Sequence, residues 1–516
     1  MNVITRPKRF IVIPKEQPTK SVPTAAQTMR MPGLTTTHPM LKSSITMALK
    51  AARPPRSKGA NKLQLLNLKL VNRSPADGSV LLEVPSKLTI EEVKAQTPAG
   101  TKVVEEQWYS LERPAKPWLK LSSSLKAPRT LAGHEMQWTV KVVVDGGRRL
   151  KNVLVTIMVD EKKGIGVEVV TDRYGSADFK LSKNTKRLDS IYVVPLHSAW
   201  PICLSDVDIG PGGMDISVPA LDTGSADVRG LMYNKPIASG KGVRVGIVDT
   251  GVGRHDALKV HGGRNTTTKE STRLYRDEDG HGSHVAGAIA STAQSWRRGE
   301  ASAVSLFAYR IFEANDPYAS TFAISAAIKQ AAIDGCDLIN LSVGDSMADE
   351  SVKDAVDFAW SKGAVCIAAT GNDGKSQIDY PASYPKAIAV SAVGLENSWP
   401  AGTFLDWTLS AHRGKELDGR TVFSASFSNF SSKVAITAPG VAVVSTIFGN
   451  RWGVMSGTSM ATPIATGVLA RRLGRSPLLL NSTRNAERAK GIVKLLHDHG
   501  EDIGLNASRQ GRGLAR

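Results

Sequence analysis

Three short segments of the sequence each place one chemically active side chain among glycines. Ser459 lies in GTSMATP, His281 in DGHGSHVAG and Asp249 in VDTGV. A serine hydroxyl is a weak nucleophile unless a base accepts its proton, and a carboxylate can hold that base in the right tautomer. The three side chains therefore supply a nucleophile, a base and an acid, and together they predict covalent hydrolysis.

Each of these segments also has a structural explanation. Small residues around a serine commonly form a turn, and an aspartate after a strand commonly stabilises one. His281 and His284 form a His-x-x-His pair that could bind a metal, but no third group of ligands accompanies the pair in the sequence. We therefore expect His284 to be a packed helix residue.

Strands and helices alternate from about residue 226 onward. Apolar runs predict strands over 242–248, 304–311, 338–343, 365–369 and 387–393, and helical patterns occur over 281–291, 320–334, 349–362 and 458–473. Such alternation is typical of an α/β fold with a parallel sheet covered by helices on both faces. Folds of this kind place their sites at strand carboxyl ends and helix N-termini, which is where Asp249, His281 and Ser459 fall.

The sequence before this region predicts a tail and two smaller units. The first part is basic and rich in Ser, Thr and Pro, so we expect it to be disordered. A small α+β unit follows, with strand patterns and a helix that begins at a Thr-x-x-Glu capping box. Short strands without a helical period then predict a β-sandwich. The predicted domains are 1–60, 61–115, 129–222 and 226–516, with a proline-rich linker over 114–128.

Charge is distributed unevenly along the 516 residues. The formal net charge is +19, and residues 1–60 carry eleven Lys or Arg against one acid, whereas residues 471–516 carry ten against four. A basic face with interleaved aromatic residues is not apparent, so we do not expect nucleic acid as a partner. A scaffold that binds acidic partners through its two basic ends stays open as an alternative.

Cysteines and apolar runs bear on the compartment. Cys203, Cys336 and Cys366 are too few and too scattered for a disulfide framework or a metal site. No apolar stretch is long enough for a transmembrane helix, and the run at residues 10–13 is too short for a secretory signal. The compartment stays open, with a cytoplasmic or non-classically exported protein as the expectation.

Taken together, the three segments resemble those of a known family. Residues 226–474 are similar to the catalytic domain of subtilisin-like serine proteases, with the segments in that family's order of Asp, His and Ser. The resemblance implies a serine endopeptidase that acts on polypeptides through an acyl-enzyme intermediate and requires no cofactor. It implies that Ser459 attacks the scissile carbonyl, His281 transfers the proton and Asp249 orients His281.

The resemblance extends to the substrate-binding segments. AATGNDG looks like the family's oxyanion segment, which implies that Asn372 donates its side-chain amide to the tetrahedral intermediate. LSVG looks like the strand that pairs with an extended substrate. The substrate-binding residues implied by these segments are Ser342, Val343, Gly344, Ala369 and Gly371.

Two positions depart from the family's usual pattern. By the same resemblance, Asp379 is implied to stand at the floor of the primary specificity pocket, where many relatives carry glycine. A carboxylate there favours Lys or Arg on the acyl side of the scissile bond, and a loop aspartate that faces solvent is the alternative. The family's tight calcium site is expected to be absent, because Ala257 replaces the usual aspartate ligand and the loop 291–302 has no cluster of Asn or Asp.

The N-terminal units also resemble known modules. Residues 63–113 are similar to the inhibitory prodomains of these proteases, which implies an intramolecular inhibitor and a zymogen. The sandwich resembles small Ig-like modules of bacterial surface and secreted proteins. The alternative function is a catalytically silent or masked binding protein on a protease fold, in which these N-terminal modules carry the activity.

Overall fold

The structure is a computed structural model. It describes residues 6–14, 68–95, 97, 99–111, 125–128, 134–144, 147–222, 224, 227–233, 239–294 and 297–516. Most of the predicted tail and most of the predicted linker lie outside the described residues. In chain order, the described residues form a small α+β unit, a β-sandwich and a large α/β unit.

The small α+β unit is a four-stranded antiparallel sheet with one helix. Its elements are β1 (Arg9–Ile13), β2 (Lys69–Arg73), β3 (Val80–Glu83), α1 (Ile90–Lys94) and β4 (Lys102–Glu105). The sheet order is β2-β3-β1-β4. Thr89 caps α1, and the capping box with Glu92 is present.

The first strand corrects the prediction of a disordered N-terminal tail. β1 pairs with β3 on one side and with β4 on the other, so it is a central strand of the sheet. Phe10 and Val12 are buried on one face, whereas Ile11 and Ile13 are buried on the opposite face. A central strand that is covered on both faces has a continuous apolar sequence, without the alternation of a half-exposed strand. About five residues are enough to form such a strand.

One further strand, β5 (Trp108–Leu111), leaves the small sheet and joins the α/β unit. The sequence pattern favours one strand over 101–109, whereas the structure has two, since β4 ends at Glu105 and β5 begins at Trp108. β5 lies between β17 (Tyr318–Ser320) and β19 (Val343–Gly344), and it is antiparallel to both.

The region predicted as a sandwich forms two four-stranded sheets that face each other. One sheet has the order β10-β6-β13 with β7 beside β6, and the other has the order β12-β11-β8-β9. Side chains from both sheets, including Trp138, Phe179 and Ile157, share one buried cluster. The strands are β6 (Glu135–Val144), β7 (Arg148–Arg149), β8 (Val153–Asp160), β9 (Ile165–Val170), β10 (Ser176–Ser182), β11 (Arg187–Pro195), β12 (Ile202–Asp208) and β13 (Gly212–Val218).

The α/β unit is built around an 11-stranded sheet. Its strands are β14 (Arg244–Asp249), β15 (Val260–Asn265), β16 (Ser305–Arg310), β18 (Leu338–Leu341), β20 (Val365–Ala369), β21 (Ala387–Leu395), β22 (Arg413–Leu417), β23 (Arg420–Ser424), β24 (Ile436–Pro439), β27 (Gly500–Glu501) and β28 (Leu514–Ala515). The order β15-β16-β14-β18-β20-β21-β24-β28 is parallel throughout, whereas β23 and β27 join in the antiparallel sense. The sheet is therefore mixed, which corrects the prediction of a purely parallel one. A separate hairpin is formed by β25 (Val443–Ile447) and β26 (Arg451–Met455).

Helices cover this sheet. They are α2 (Val228–Met232), α3 (His281–Ala290), α4 (Thr321–Ile333), α5 (Glu350–Ser361), α6 (Thr458–Gly474), α7 (Pro477–Leu480), α8 (Ala486–His497) and α9 (Ala507–Gln510). The longest, α6, is buried along most of its length in the main core. None of the described helices is both long and apolar enough to cross a lipid bilayer.

The basic C-terminal end is part of the fold, whereas its binding to acidic partners stays an untested alternative. Residues 500–501 and 514–515 form the last two strands of the large sheet. Arg484 and Arg488 both pair with Asp337 at 2.7 Å, and Arg471 pairs with Glu300 at 3.4 Å. The cations at this end therefore stabilise the α/β unit itself.

Both N-terminal units pack on the α/β unit. Ile11 of the small unit clusters with Phe322 of α4, and Lys329 of α4, which is only 5% exposed, pairs with Asp77 of the small unit at 2.5 Å. Trp200 of the sandwich is buried in the main core of the α/β unit.

Candidate active site

Asp249 is the last residue of β14, and His281 is the first residue of α3. Both side chains are buried. His281 Nδ1 lies 2.9 Å from one oxygen of the Asp249 carboxylate and 3.1 Å from the other. An imidazole that donates from Nδ1 keeps Nε2 as an acceptor, which is the tautomer that a general base needs. No described residue hydrogen bonds His281 Nε2.

A second buried carboxylate, which the sequence analysis missed, holds the start of α3. Asp277 accepts hydrogen bonds from three backbone N–H groups and from the hydroxyls of Ser283 and Thr250. Burial raises the pKa of Asp277, although these donors act in the opposite direction. The available signal was an aspartate just before a helix start, where such residues commonly cap. Asp277 thereby joins the loop after Asp249 to the helix that carries His281.

Ser459 is the second residue of α6, and its side chain is buried. Its hydroxyl donates to the Ser342 carbonyl oxygen at 3.2 Å, and the Ser342 hydroxyl donates to the Ser459 carbonyl oxygen at 3.1 Å. Rotation about the Cα–Cβ bond can carry the Ser459 hydroxyl from the Ser342 carbonyl oxygen to another staggered position. The first N–H groups of a helix lack intrahelical partners, so this end of α6 favours negative charge.

Asn372 lies in the turn after β20 and is bonded to the residue that precedes the serine. Its Oδ1 accepts from the backbone N–H of Thr458 at 2.8 Å and from the Thr458 hydroxyl at 3.0 Å. Both partners are donors, so the amide oxygen faces Thr458 and the Nδ2 group is directed away from it. Asn372 also lines a cavity of about 150 Å³ beside the end of β5.

The predicted substrate-binding edge is occupied by a segment of the chain itself. β5 pairs with Val343 and Gly344, and its Tyr109 is completely buried. The Tyr109 hydroxyl donates to the Met347 carbonyl oxygen at 2.9 Å. Of the other predicted substrate-binding residues, Ala369 is buried at the end of β20. β5 thus adds a strand to this edge in the way that an extended peptide does.

Comparison with known proteins decides the family. The sequence profile described as the subtilase family matches residues 240–495. Subtilisin DY of Bacillus licheniformis is 36% identical over 247 residues, which cover 46% of this chain and 80% of that protein. Subtilisin BL of Lederbergia lenta is 33% identical over 263 residues, which cover 50% of this chain and 87% of that protein. The chain belongs to the subtilase family.

A third relative is matched over a smaller share of its own length. The thermostable alkaline protease of Halalkalibacterium halodurans is 33% identical over 263 residues, which cover 51% of this chain and 63% of that protein. The chain thus spans less than two thirds of the length of this relative. The subtilase match begins at residue 240, so the small α+β unit and the sandwich lie outside it.

Asp379 lies in the subtilase region beside the end of β5. It is 7% exposed, so it is not a loop aspartate that faces solvent. It lines the cavity of about 150 Å³ together with Gly344, Asn372, Asp373 and Lys375. Lys375 pairs with Asp373 at 2.8 Å.

A buried asparagine that the sequence analysis missed organises this pocket. Asn429 Oδ1 accepts from the backbone N–H groups of Asp373 and Lys375, each at 3.0 Å, and its Nδ2 donates to Asp379 at 3.4 Å. Gly371 has a φ of 101°, and a Cβ there would lie 2.2 Å from both the Asn429 amide and the Asp379 carboxylate. Only glycine suits that position. No local pattern marks Asn429, because it lies 56 residues along the chain from Asp373.

The two histidines of the His-x-x-His pair have different partners. His284 is completely buried, and its Nε2 lies 3.0 Å from the Val443 carbonyl oxygen. Burial, followed by the nearby His281, lowers the pKa of His284 to about 3. A neutral His284 therefore fastens α3 to β25 and does not share a ligand with His281.

Ala257 lies where the sequence analysis predicts that the family's tight calcium site is absent. Ala257 supplies no side-chain oxygen there, and its N–H donates to His255 Nδ1. Within the described ranges, no three His, Cys, Asp or Glu side chains group as metal ligands. The absence of calcium at this position stays a prediction.

Gly282 provides a test of the packing around Asp249. A Cβ there would lie 2.1 Å from the Gly251 carbonyl oxygen and 3.1 Å from the Asp249 carboxylate. Alanine is favoured over glycine in helices by ~1 kcal/mol, but overpacking costs ~1–3 kcal/mol and here involves backbone. We expect Gly282→Ala to lower the melting temperature by several degrees. The matched control is Gly210→Ala, since a Cβ at Gly210 meets no atom within 4 Å. A melting temperature for Gly282→Ala equal to that of the parent would contradict this account.

Proposed function

We propose that this subtilase is a serine endopeptidase with Ser459 as nucleophile, His281 as general base and Asp249 as the group that orients His281. The observation that carries the proposal is the contact of His281 Nδ1 with both oxygens of the buried Asp249 carboxylate. That contact fixes the plane and the tautomer of the imidazole.

In the acylation step, Ser459 Oγ attacks the scissile carbonyl carbon while its proton passes to His281 Nε2. The carbonyl π electrons move to the oxygen and form a tetrahedral oxyanion. Collapse of this intermediate breaks the C–N bond, and His281 gives the proton to the leaving amine. Asp249 stays ionised throughout and stabilises the imidazolium.

Water then hydrolyses the acyl-enzyme in the reverse sense. His281 Nε2 accepts a proton from water as the oxygen attacks the ester carbonyl. The second tetrahedral intermediate expels Ser459 Oγ, which recovers its proton from His281. The products are a carboxylic acid and the free serine hydroxyl.

Two groups are suited to stabilise the oxyanion. The backbone N–H of Ser459 belongs to the first turn of α6. Thr458 orients the amide of Asn372, because its N–H and hydroxyl both donate to Oδ1. The Nδ2 group is therefore directed to the other side. Preorganised donors of this kind require no rearrangement as the charge develops.

Two variants test this assignment. Ser459→Ala is expected to remove labelling by a fluorophosphonate probe and to abolish peptide hydrolysis, because no nucleophile remains. Asn372→Ala is expected to lower kcat by ~10²–10³-fold with little change in KM, a magnitude taken from subtilisin. Ser482→Ala, far from the site, is the control. Undiminished turnover by Ser459→Ala would refute the assignment.

We further propose that the chain is a masked precursor. It is then an endopeptidase whose active site is covered until the small unit is removed. β5 occupies the edge on which substrate is expected to pair, and Tyr109 fills a buried position there. Lys329 and Asp77 hold the small unit on α4 through a nearly buried ion pair. The small unit then acts as an intramolecular inhibitor.

The inhibitory contact includes a buried carboxyl at the turn before β5. The Glu106 side chain is 1% exposed and lies 3.7 Å from Arg9 Nη1, and the Ser320 side chain and Arg9 only partly offset its burial. Burial raises the pKa of Glu106 from 4.5 to about 7. A carboxyl whose pKa is raised on docking supports the docked state fully below its ordinary pKa, and this support is lost as the pH rises through about 7.

We therefore expect β5 to open more readily at pH 8 than at pH 5. The measurement is hydrogen exchange of the β5 amides in the Ser459→Ala chain, corrected for intrinsic exchange. The protection factor should fall by about tenfold or more across this range. Glu106→Gln should abolish the pH dependence, whereas Glu105→Gln, at the exposed neighbouring position, should preserve it. Protection that stays constant or rises with pH would exclude this role for Glu106.

We also propose that Asp379 selects Lys or Arg on the acyl side of the scissile bond. Its carboxylate lines the cavity of about 150 Å³ at the end of β5 and accepts from the Asn429 amide. A carboxylate withdrawn from water gains most from a cationic partner.

Peptide substrates that differ only at this residue test the preference. Asp379→Asn is expected to lower kcat/KM for Arg substrates by ~10–100-fold and to leave Leu substrates within a few fold. Asp373→Asn removes an exposed carboxylate from the same cavity and is the matched control. A parent enzyme that prefers Phe or Leu over Arg would refute the proposal.

A further inference from the structure

The hairpin of β25 and β26 connects the helix of His281 to the helix of Ser459. Three hydrogen bonds join β25 to α3. The Ser445 hydroxyl donates to the His284 carbonyl oxygen and the Thr446 hydroxyl to the Ser283 carbonyl oxygen, each at 2.7 Å. The third joins His284 Nε2 to the Val443 carbonyl oxygen. β26 ends at Met455, just before the turn that leads into Ser459. A displacement of the hairpin therefore changes the position of His281 relative to Ser459.

The hairpin is a two-stranded sheet of its own. An isolated hairpin is at best marginally stable, so its position depends on what binds its outer edges. Two residues of the segment that follows the sandwich bind the outer edge of β25. Asp227 accepts from the Val444 N–H at 3.0 Å, and Arg229 donates to the Val444 carbonyl oxygen at 2.7 Å.

The outer edge of β26 is held by the sandwich itself. The docking loop, defined as residues 196–201 between β11 and β12, lies along this edge. The Ser198 N–H donates to the Trp452 carbonyl oxygen at 2.9 Å, and Arg451 Nη1 donates to His197 Nε2 at 2.8 Å.

Leu196 extends the contact to Gly280, the residue before His281. The Leu196 carbonyl oxygen lies close to Gly453. A Cβ added at Gly453 would lie only 2.5 Å from this oxygen. The Leu196 side chain packs beside Gly280, and a Cβ added at Gly280 would lie 3.3 Å from it. Ile447 of β25 packs beside the same glycine. Gly280 is the cap of α3 and directly precedes His281. The docking loop thus touches the hairpin and the start of the catalytic helix together.

The His197 contact requires a neutral imidazole, because Nε2 accepts from Arg451 while Nδ1 lies 2.8 Å from the Ser198 hydroxyl. Burial, with Arg451 from β26 and Arg148 and Lys151 from the sandwich, lowers the pKa of His197 to about 4. The contact is therefore complete at neutral pH.

We propose that the docking loop is a positioning element of the catalytic centre, through the bonds of His197 and Ser198 to β26 and the packing of Leu196 on Gly280. The sandwich is then a working part of the catalytic unit and not only an appended module. His197 is a positioning residue, since it touches neither substrate nor the reacting atoms. The inference rests on the proposed peptidase function for its kinetic consequence only.

The kinetic test compares two losses of sandwich contact. His197→Ala removes the acceptor of Arg451. Phe404→Ala removes a contact with Tyr192, whose ring centroid lies 4.9 Å from that of Phe404, on the same interface but away from the hairpin. With concentrations fixed by active-site titration, we expect His197→Ala to lower kcat by about tenfold with KM unchanged, and Phe404→Ala to keep kcat within about twofold.

Three further variants sharpen the result. Arg451→Ala should match His197→Ala, and the double variant should be no worse than either, since one contact is lost in all three. His197→Gln, whose side-chain oxygen can accept from Arg451, should restore turnover. Equal effects of His197→Ala and Phe404→Ala on kcat would overturn the proposal, because the sandwich would then act only through overall stability.

A readout without turnover separates this inference from the proposed function. Hydrogen exchange over residues 443–458 should be faster in His197→Ala than in the parent and unchanged in Phe404→Ala. If the parent neither labels with fluorophosphonate nor cleaves peptides even at pH 8, where β5 is expected to open, the peptidase proposal fails while the exchange result still stands. If exchange of the hairpin is the same in all three proteins, the positioning proposal fails whatever the activity.

Discussion

A carboxylate withdrawn from water must be surrounded by donors, and two such carboxylates determine the geometry of this site. Asp249 accepts from the N–H of Thr250 at 2.7 Å and from His281. Asp277 accepts from the Thr250 hydroxyl, which in turn accepts from the N–H of Gly282. Thr250 is therefore shared between the two carboxylates, so the end of β14 and the start of α3 cannot move independently. The close packing at Gly282 follows from this requirement, because the donors reach Asp249 only if the two segments touch.

The remaining parts of the chain approach this centre from opposite sides. β5 of the small unit lies on the edge of Val343 and Gly344, where backbone pairing gives affinity whatever the side chains are. The sandwich reaches the hairpin of β25 and β26 and touches the residue before His281. In the proposed function, the first contact covers the edge on which substrate is expected to pair, and the second positions the groups proposed to act on it. An inhibitor has to be removable, whereas a positioning element has to stay.

The sequence predicted those features whose causes are local. The apolar and helical patterns of the α/β unit gave its central elements closely, such as α6 at Thr458–Gly474 for a predicted helix over 458–473. The three segments of the proposed triad carry glycines that the local backbone requires, since Gly251, Gly280 and Gly457 all have positive φ. β1 was missed because its strand partners lie far along the chain and its two apolar faces look like no amphipathic pattern. Asn429 and the docking loop were missed for the same reason, since each works through contacts that only the folded chain creates.

The order of the units along the chain follows from these two roles. The inhibitory strand ends at Leu111, and the sandwich has begun by Lys126, which pairs with Ile165. A cut between these points releases the small unit and leaves the sandwich joined to the catalytic domain. A cut after the sandwich would sever its covalent link to the domain it positions, and the His197 and Ser198 contacts would then have to hold it without the entropic advantage of a tether. If the small unit is the inhibitor that we propose, its place before the positioning module is thus the arrangement in which a single cleavage unmasks the site without disturbing it.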